Sequence, residues 1–252
     1  MIDIHSHIIP SIDDGSKSIE MTLEMLEGAQ KDGINQIVAT PHYIRGYAEE
    51  NISRVKKWVE YINSIVKKNN MNINIYCGQE VYFTNNILDD YFQNNIGTIN
   101  GTRYMLIEFP MHKMDDEIFE KIYELQIRDI IPIIAHPERY EYFIEKPFMI
   151  NEFIKEGYLF QMNSGSISGR YGKNVKKTSE LFLRNNIYNF IGSDAHNNFD
   201  RNMMIRADLE LTYKKNRHIR NIVEESSISL MKNEKVNFYG EKIKFKKVRT
   251  FF

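Results

Sequence analysis

The chain has 252 residues, of which 42% are hydrophobic and 27% charged, and its formal net charge is -1. This length and composition predict one large soluble α/β domain over residues 1–240, and they exclude disordered chains and nucleic-acid-binding proteins with a strongly basic surface. The single cysteine allows no internal disulfide, the first strand leaves no room for a signal peptide, and no run reaches the roughly 18 apolar residues of a membrane span, so we expect a cytoplasmic protein.

The first predicted element is a short apolar strand, Met1 to Ile4, that is followed by two histidines. His5 and His7 are two positions apart, so they share one face of a strand. Two imidazoles on one face can bind one metal ion, and the carboxylate of Asp14 could return to the same cleft. Taken alone, the pattern is equally compatible with two ordinary polar residues.

Six further β-rich runs follow along the chain, separated by charged segments with apolar residues at helical spacing. This alternation predicts parallel strands buried on both faces, as in a (β/α) barrel or a doubly wound sheet. The predicted strands are Ile34 to Thr40, Ile73 to Gly78, Tyr104 to Phe109, Ile130 to Ala135, Tyr158 to Met162 and Ile187 to Ile191.

Six of the seven predicted strands finish in residues that can bind a metal ion. Each of these residues, taken singly, is better explained as a polar group that a loop satisfies, but that explanation is poor for nine together. Strand ends converge on one mouth in a barrel, whereas an open sheet spreads them along a line. We therefore predict a distorted (β/α)7 barrel with its active site at the mouth. The nine residues are His5, His7, Asp14, His42, Glu80, Glu108, His136, Asp194 and His196.

These residues and the motifs around them resemble those of the polymerase and histidinol phosphatase (PHP) superfamily. The order and spacing are similar to those of the metal-dependent protein-tyrosine phosphatases that accompany capsule and exopolysaccharide tyrosine kinases in Gram-positive bacteria. The resemblance extends from Met1 to about Arg201 and is loose beyond it. The motifs that carry it are MIDIHSHI, DDG, ATPH, GQE, LIEFP, IAHPER, NSGS and SDAHN.

The resemblance implies a PHP-type barrel that binds three divalent metal ions, with Mn²⁺ expected and Fe²⁺ or Zn²⁺ as alternatives. Imidazole and carboxylate ligands without thiolate suit these ions better than they suit a structural zinc site. Clustered ions lower the pKa of bound water, so a metal-bridging hydroxide would attack the phosphorus. The implied ligand groups are His5, His7, Glu80 and Asp194 for one ion, Glu80, Glu108 and His136 for a second, and Asp14, His42 and His196 for a third.

Two arginines follow the metal-type residues closely, Arg139 in HPER and Arg201 in SDAHNNFDR. Either guanidinium could bind phosphate through two hydrogen bonds, and the resemblance gives both a role in catalysis. The alternative is a surface arginine paired with a nearby acidic residue. A cysteine-phosphatase loop is excluded, because a Cys-x5-Arg motif starting at Cys77 would need arginine at the position of Phe83.

Three functions are compatible with this sequence: a metal-dependent phosphotyrosine-protein phosphatase, a small-molecule phosphoesterase such as a histidinol-phosphate phosphatase, and a metal-binding regulatory protein without turnover. The complete ligand set argues against the third. We favour the first, with a membrane-associated bacterial tyrosine kinase of capsule or exopolysaccharide biogenesis as the substrate. Side chains of two loops could flank a phenyl ring or could equally pack at the surface. They are Tyr43, Arg45, Tyr47, Arg139, Tyr140 and Tyr142.

Residues 241–252 are predicted to form a basic and aromatic C-terminal tail. Its segment KIKFKKVRTFF interleaves five basic residues with three phenylalanines. That pattern suits weak contact with an anionic membrane surface or an acidic partner, and a closing strand or a disordered end is the alternative.

Overall fold

The computed structural model describes residues 1–244, and within them nine short strands pair with one another only in parallel. They form two ladders, in the orders β1-β2-β4 and β3-β5-β6-β7-β8-β9. The strands are β1 (Ile2–Ser6), β2 (Gln36–Ala39), β3 (His42–Tyr43), β4 (Asn74–Cys77), β5 (Glu80–Tyr82), β6 (Tyr104–Glu108), β7 (Ile131–Ala135), β8 (Leu159–Asn163) and β9 (Phe190–Gly192).

Seven of the nine strands correspond to the predicted ones, and the short strands β3 and β5 lie beyond the predicted ends at Thr40 and Gly78. β2 is followed at once by β3, and β4 by β5, with two residues between the members of each pair. Backbone hydrogen bonds bridge both interruptions, from Gly78 N to Ala39 O at 2.9 Å and from Glu80 N to Pro41 O at 3.0 Å. The two ladders are therefore one continuous sheet with a kink across its second and third strands.

The sheet curls until its last strand lies beside its first. Asp194 N donates to His5 O at 2.9 Å, and His7 N donates to Ala195 O at 2.8 Å. Gly192 permits this approach, because a Cβ atom there would lie 2.7 Å from the Cβ of His5. The structure thus confirms the predicted fold class, a distorted α/β barrel of parallel strands.

The described residues form ten α-helices, of which α1 to α8 lie between strands and α9 and α10 follow the last strand. Where the two longest early helices begin, a side chain satisfies a free backbone N–H: Ser18 accepts from Met21 N and Asn51 from Arg54 N. The helices are α1 (Ile19–Lys31), α2 (Ile52–Lys68), α3 (Ile87–Phe92), α4 (Ile118–Gln126), α5 (Glu141–Glu145), α6 (Ile150–Lys155), α7 (Ser164–Ser168), α8 (Lys173–Arg184), α9 (Arg206–Lys215) and α10 (Ile219–Met231), and short 3-10 turns span Ile99–Gly101, Pro137–Arg139 and Pro147–Met149.

The strands are buried on both faces, as their nearly continuous apolar sequence predicts. In β6, Leu106 packs into one apolar cluster, while its neighbours Met105 and Ile107 pack into the other. All three are fully buried. A barrel built in this way has little room for polar side chains except where its strands end, and that constraint locates the site.

The C-terminal end of the described chain lies against the barrel. Glu241 N donates to Asn185 O, and Ile243 exchanges two hydrogen bonds with the side chain of Asn151. The predicted boundary at residue 240 stays a prediction, and most of the predicted tail, residues 245–252, lies outside the described residues. None of the helices in residues 1–244 has both the length and the apolar character needed to cross a membrane.

Candidate metal centre

All nine predicted ligand residues lie at the carboxyl ends of the strands or in the loops that follow them. Eight of them are buried or nearly so, and Asp14 is the exception, with 47% of its side chain exposed. Buried ionisable groups are costly unless they are paired or bind a metal, so their concentration at one end of the barrel needs a chemical reason.

A first group of possible ligands surrounds one carboxylate oxygen, Oε2 of Glu80. Nε2 of His5 lies 3.1 Å from this oxygen and Nε2 of His7 lies 3.2 Å from it. Oδ1 of Asp194 is 3.6 Å from the first nitrogen and 3.5 Å from the second. These four ligand atoms lie within 4.8 Å of one another, which is close enough to share one ion.

A second group forms on the other side of Glu80. His42, Glu80 and Glu108 have ligand atoms within 4.8 Å of one another. The group implied by the resemblance contains His136 in place of His42. Nε2 of His136 lies 2.9 Å from Oε1 of Glu80 and 3.6 Å from Oε1 of Glu108, so the structure brings both histidines to this position.

A third group lies nearest to the solvent, around Asp14. Oδ1 of Asp14 is 3.3 Å from Nε2 of His196 and 3.6 Å from Nε2 of His42. These are the three implied residues, and His7 joins them within 4.8 Å. His7, His42 and Glu80 each belong to two groups, so the three groups form one contiguous cluster.

The donor atoms of this cluster fit divalent cations. Oε2 of Glu80 faces His5, His7 and His42 at 3.1–3.2 Å, yet it makes no hydrogen bond. Nδ1 of His42 and Nδ1 of His136 are buried and likewise without a hydrogen-bond partner in the described part of the chain. Buried polar atoms are rarely left in this way. Converging imidazole nitrogens and carboxylate oxygens are ligands for Mn²⁺, Fe²⁺ or Zn²⁺.

The pKa values of residues in the cluster are shifted in different directions. Burial opposes ionisation of Glu80, but the charges of His5 and His42 outweigh it and hold the pKa of Glu80 well below its usual range. Burial and the nearby charge of Glu80 instead raise the pKa of Glu108. Burial and the charge of Arg139 lower the pKa of His136 to about 4. His136 is therefore unprotonated at neutral pH, which is the form of imidazole that can bind a cation, and a cation that bound to Glu108 would displace a proton.

Residues behind the cluster orient its histidines, and the sequence analysis did not identify them as site residues. Asp13 accepts from Nδ1 of His7 at 2.8 Å, and Oε1 of Gln161 lies 2.9 Å from Nδ1 of His5. Such partners fix the ring that binds the metal through its other nitrogen. Burial raises the pKa of Asp13, but the charge and hydrogen bond of His7 prevail and lower it to about 2. Gly15 is needed in this loop, since a Cβ atom there would lie 2.3 Å from His7 O.

The two predicted arginines meet at the outer oxygen of Asp194. Nη1 of Arg139 donates to this Oδ2 at 3.1 Å, and Nη2 of Arg201 lies 2.9 Å from it. Asn163 donates to the same oxygen at 2.6 Å. The side chains of Arg139 and Arg201 are 24% and 28% exposed, so both guanidinium groups border the cluster and reach the solvent at the mouth.

Two ligand residues have unusual backbone conformations. His136 and Asp194 both have positive φ angles, 32° and 51°. Side-chain-bearing residues rarely adopt this region, and the strain is tolerated mainly where function requires it. In both cases the residue ends a strand, and the left-handed turn redirects the chain at the mouth.

Of the six side chains considered as walls for a phenyl ring, three tyrosines are core residues. Tyr43 donates to Asp90 at 2.9 Å, and Tyr140 is fully buried, donating to Ala135 O at 2.8 Å. Arg45 binds Asp90 through two nitrogens. Tyr142 is also buried, whereas Tyr47 is 69% exposed. The structure therefore leaves Tyr47 as the one freely exposed ring among these candidates.

Comparison with known proteins identifies close relatives over nearly the whole chain. Residues 1–232 match the family model described as capsular polysaccharide synthesis, CpsB/CapC. CapC of Staphylococcus aureus is 36% identical over 96% of this chain and 93% of its own length. The tyrosine-protein phosphatase YwqE of Bacillus subtilis is 33% identical over 85% of this chain and 84% of its own.

A solved structure agrees with these sequence matches. It is one of the crystal structures of YwqE from Bacillus subtilis and CpsB from Streptococcus pneumoniae, which are described as unique metal-dependent tyrosine phosphatases. It covers 97% of this chain and 100% of its own, with 31% sequence identity and a TM-score of 0.91.

Proposed function

Because the chain belongs to the CpsB/CapC family of capsular polysaccharide synthesis proteins, we propose that it is a metal-dependent protein-tyrosine phosphatase of the PHP type. It hydrolyses phosphotyrosine on protein substrates. The observation that carries this function is the convergence of histidines and carboxylates on Glu80, beside two arginines at the mouth of the barrel. The resemblance to the PHP superfamily is thereby confirmed at the level of the family.

We assign the metal ligands from the distances within the cluster. Divalent ions bound there would lower the pKa of a water molecule and neutralise phosphoryl oxygens. Mn²⁺ is the proposed metal, and three ions are the proposed number. Glu80 belongs to two groups of possible ligands and would bridge two ions. The ligands are His5, His7, Asp14, His42, Glu80, Glu108, His136, Asp194 and His196.

Arg139 and Arg201 are assigned to the substrate phosphate. Both now donate to Oδ2 of Asp194, while Oδ1 of the same carboxylate faces His5 and His7. Asp194 thus holds the two guanidinium groups next to the cluster. From this position each can donate to a phosphoryl oxygen and stabilise the charge that develops as the ester bond breaks.

The proposed substrate is phosphotyrosine on a membrane-associated tyrosine kinase of capsule or exopolysaccharide synthesis, and the proposed location is the cytoplasm. The family description and the open mouth support a protein substrate. The ring of phosphotyrosine carries its phosphate farther from a peptide backbone than phosphoserine does, which suits a buried cluster. The basic, aromatic C-terminal tail would add weak, salt-sensitive contact with an anionic membrane.

A substrate comparison tests this function. The purified protein, after metal analysis, is assayed on phosphotyrosine peptides, matched phosphoserine peptides and histidinol phosphate, with and without added Mn²⁺. We expect the highest kcat/KM on phosphotyrosine, stimulation by Mn²⁺ and loss of activity on chelation. A higher kcat/KM on histidinol phosphate would replace this function with that of a small-molecule phosphoesterase. Activity that survived chelation in metal-free protein would overturn the ligand assignment.

The tail is tested separately by deleting residues 245–252. Turnover of a small aryl phosphate should be unchanged, while association with anionic liposomes should weaken in a salt-sensitive way. Unchanged association at low salt would contradict the membrane role.

A further inference from the structure

Tyr171 lies at the mouth of the barrel and is not explained by packing alone. It belongs to the short segment between α7 and α8, which follows the carboxyl end of β8. Gly169 and Gly172 on either side of it both have φ angles of +97°, a conformation that favours glycine. Two such glycines hold this segment in a tight loop, and the loop delivers one aromatic side chain to the site.

The ring of Tyr171 contacts one of the proposed phosphate-binding groups. Cζ of Arg139 lies 4.9 Å from the centroid of this ring, within the range of a cation–π contact. The other end of the Arg139 guanidinium donates to Asp194. Ring and carboxylate together leave the guanidinium few alternative positions, so Tyr171 orients Arg139 at the mouth.

The hydroxyl group of Tyr171 has a different character. Its oxygen is buried and has no hydrogen-bond partner within residues 1–244. Burial raises the pKa of Tyr171, and the charge of Asp194 adds to this, while Arg201 and Arg139 oppose it. These charges belong to groups that border the cluster, and the ring of Tyr171 itself lies against Arg139. A buried tyrosine hydroxyl usually finds a partner, and a ligand oxygen between the two arginines would supply one.

We propose that Tyr171 is a phosphate-binding residue of this site: its ring orients Arg139, and its hydroxyl donates a hydrogen bond to a phosphoryl oxygen. This inference rests on the proposed function, since it concerns the phosphate that the arginines would bind. Tyr171 is then an aromatic residue of the mouth, a role that the buried tyrosines of the core cannot fill.

The test uses the full chain loaded with Mn²⁺ and two substitutions. Tyr171→Phe removes only the hydroxyl, and Tyr171→Leu also removes the ring. Tyr158→Phe is the matched control, because its hydroxyl is likewise buried without a described partner, but it precedes β8 at the opposite end of that strand. The measurements are the affinity for inorganic phosphate by calorimetry, and kcat and KM for a small aryl phosphate.

We expect Tyr171→Phe to weaken phosphate binding and raise KM by about tenfold with kcat nearly unchanged, because a hydrogen bond to a charged group is lost from both ground and transition states. Tyr158→Phe should change neither. Tyr171→Leu should lose more phosphate affinity than Tyr171→Phe does. This difference between the two variants should vanish in an Arg139→Ala background, since the ring acts through Arg139.

If the phosphate affinity of Tyr171→Phe stayed within twofold of the wild type, the role of the hydroxyl would be overturned. If Tyr171→Leu still lost more affinity than Tyr171→Phe in the absence of Arg139, the role of the ring would be overturned. The calorimetric readout separates this inference from the proposed function. A wild type that binds phosphate in a Tyr171-dependent way but hydrolyses no phosphotyrosine would refute the function and leave the inference standing. A wild type that hydrolyses phosphotyrosine while the tyrosine variants behave normally would refute only the inference.

Discussion

Two buried carboxylates in this barrel, Glu80 and Asp90, have opposite surroundings. The carboxylate of Asp90 accepts hydrogen bonds from Tyr43, from two nitrogens of Arg45 and from Asn95, at 2.8–3.1 Å. Glu80 instead faces imidazole nitrogens, and its Oε2 has no hydrogen-bond partner within residues 1–244. The protein satisfies one carboxylate with its own donors and leaves the other for a cation.

This difference separates a structural role from a chemical one. A carboxylate with a full set of protein donors stabilises the loop that contributes them. A carboxylate surrounded by other potential ligands keeps an oxygen that a cation can bind, and binding of a cation there would stabilise the folded protein further. The pKa of Asp90 is lowered even though burial opposes ionisation, and the main opposing cause is its hydrogen bonding to Arg45. Burial alone thus does not identify a site; several imidazole nitrogens converging on an oxygen without a hydrogen bond do.

The largest expected effect comes from removing the carboxylate that faces the histidines. Glu80→Ala should lose more bound metal than Asp14→Ala, because Glu80 belongs to two ligand groups and Asp14 to one. Both should lower phosphatase activity at least about a hundredfold while the barrel stays folded. Elemental analysis, steady-state kinetics and circular dichroism check this. Equal metal loss in the two variants would contradict the bridging role of Glu80.

The second prediction concerns stability. Asp90→Ala should lower the free energy of unfolding of the metal-free protein by about 2–3 kcal/mol, because it leaves the buried hydroxyl of Tyr43 and part of Arg45 without partners. Denaturant unfolding in chelator measures the loss. The exposed neighbour supplies a matched control, since Asp89→Ala should change stability by less than about 0.5 kcal/mol.

Metal binding then sharpens the contrast between the two carboxylates. Added Mn²⁺ should still raise the melting temperature of Asp90→Ala, because ligand binding to the folded state stabilises it. Added Mn²⁺ should raise the melting temperature of Glu80→Ala much less. A similar response in both variants would show that the two carboxylates do not differ in role.

The third prediction compares two arginine–aspartate pairs. Arg139→Ala should lower turnover at least tenfold, because it removes a charge-assisted contact worth roughly 1.5–3 kcal/mol to the phosphoryl group. Arg45→Ala instead breaks a pair in which two guanidinium nitrogens donate to Asp90, a carboxylate that belongs to none of the three ligand groups. It should cost stability but leave turnover within about twofold of the wild type. Equal losses of turnover would remove the distinction between the pairs.

The smallest expected effect is on Cys77. Burial raises the pKa of its thiol to about 12, so at pH 8 the reactive thiolate is scarce, and labelling should accelerate as pH rises. Iodoacetamide at pH 8 should therefore modify the folded protein slowly and leave activity unchanged. Unfolded protein, labelled in parallel, should react at the ordinary rate of a free thiol. Rapid inactivation of the folded protein would contradict this picture.

Much of the fold could be predicted, because parallel strands buried on both faces have a nearly continuous apolar sequence. The last strand shows the limit of this signal. The run from Ile187 to Ile191 predicts a strand, but β9 spans Phe190–Gly192, since Ile187 and Tyr188 are buried by packing before the strand begins. An apolar run predicts which residues are buried, whereas the neighbouring strands determine which part of the run pairs as a strand.

The candidate site divides in the same way. Its ligand-type residues could be predicted because each follows a strand, and parallel strands carry their ends to one mouth. The supporting residues could not, because their role depends on partners far away in the sequence. Gln161 is 156 positions from His5, although its place two residues before Asn163, on the same strand face, was a weak signal. Tyr43 and Tyr140 have suitable chemistry, yet the core has already buried them.

The contact between the first and last strands has a consequence for synthesis on the ribosome. Asp3 and His5 form hydrogen bonds with Ser193, across 190 and 188 positions of the chain. A growing chain presents its first two histidines early, but they gain Asp194 and His196 only when nearly four-fifths of the protein has been made. Loop closure over such a span is slow. The cluster of candidate ligands is therefore incomplete until the last strand of the barrel has been made.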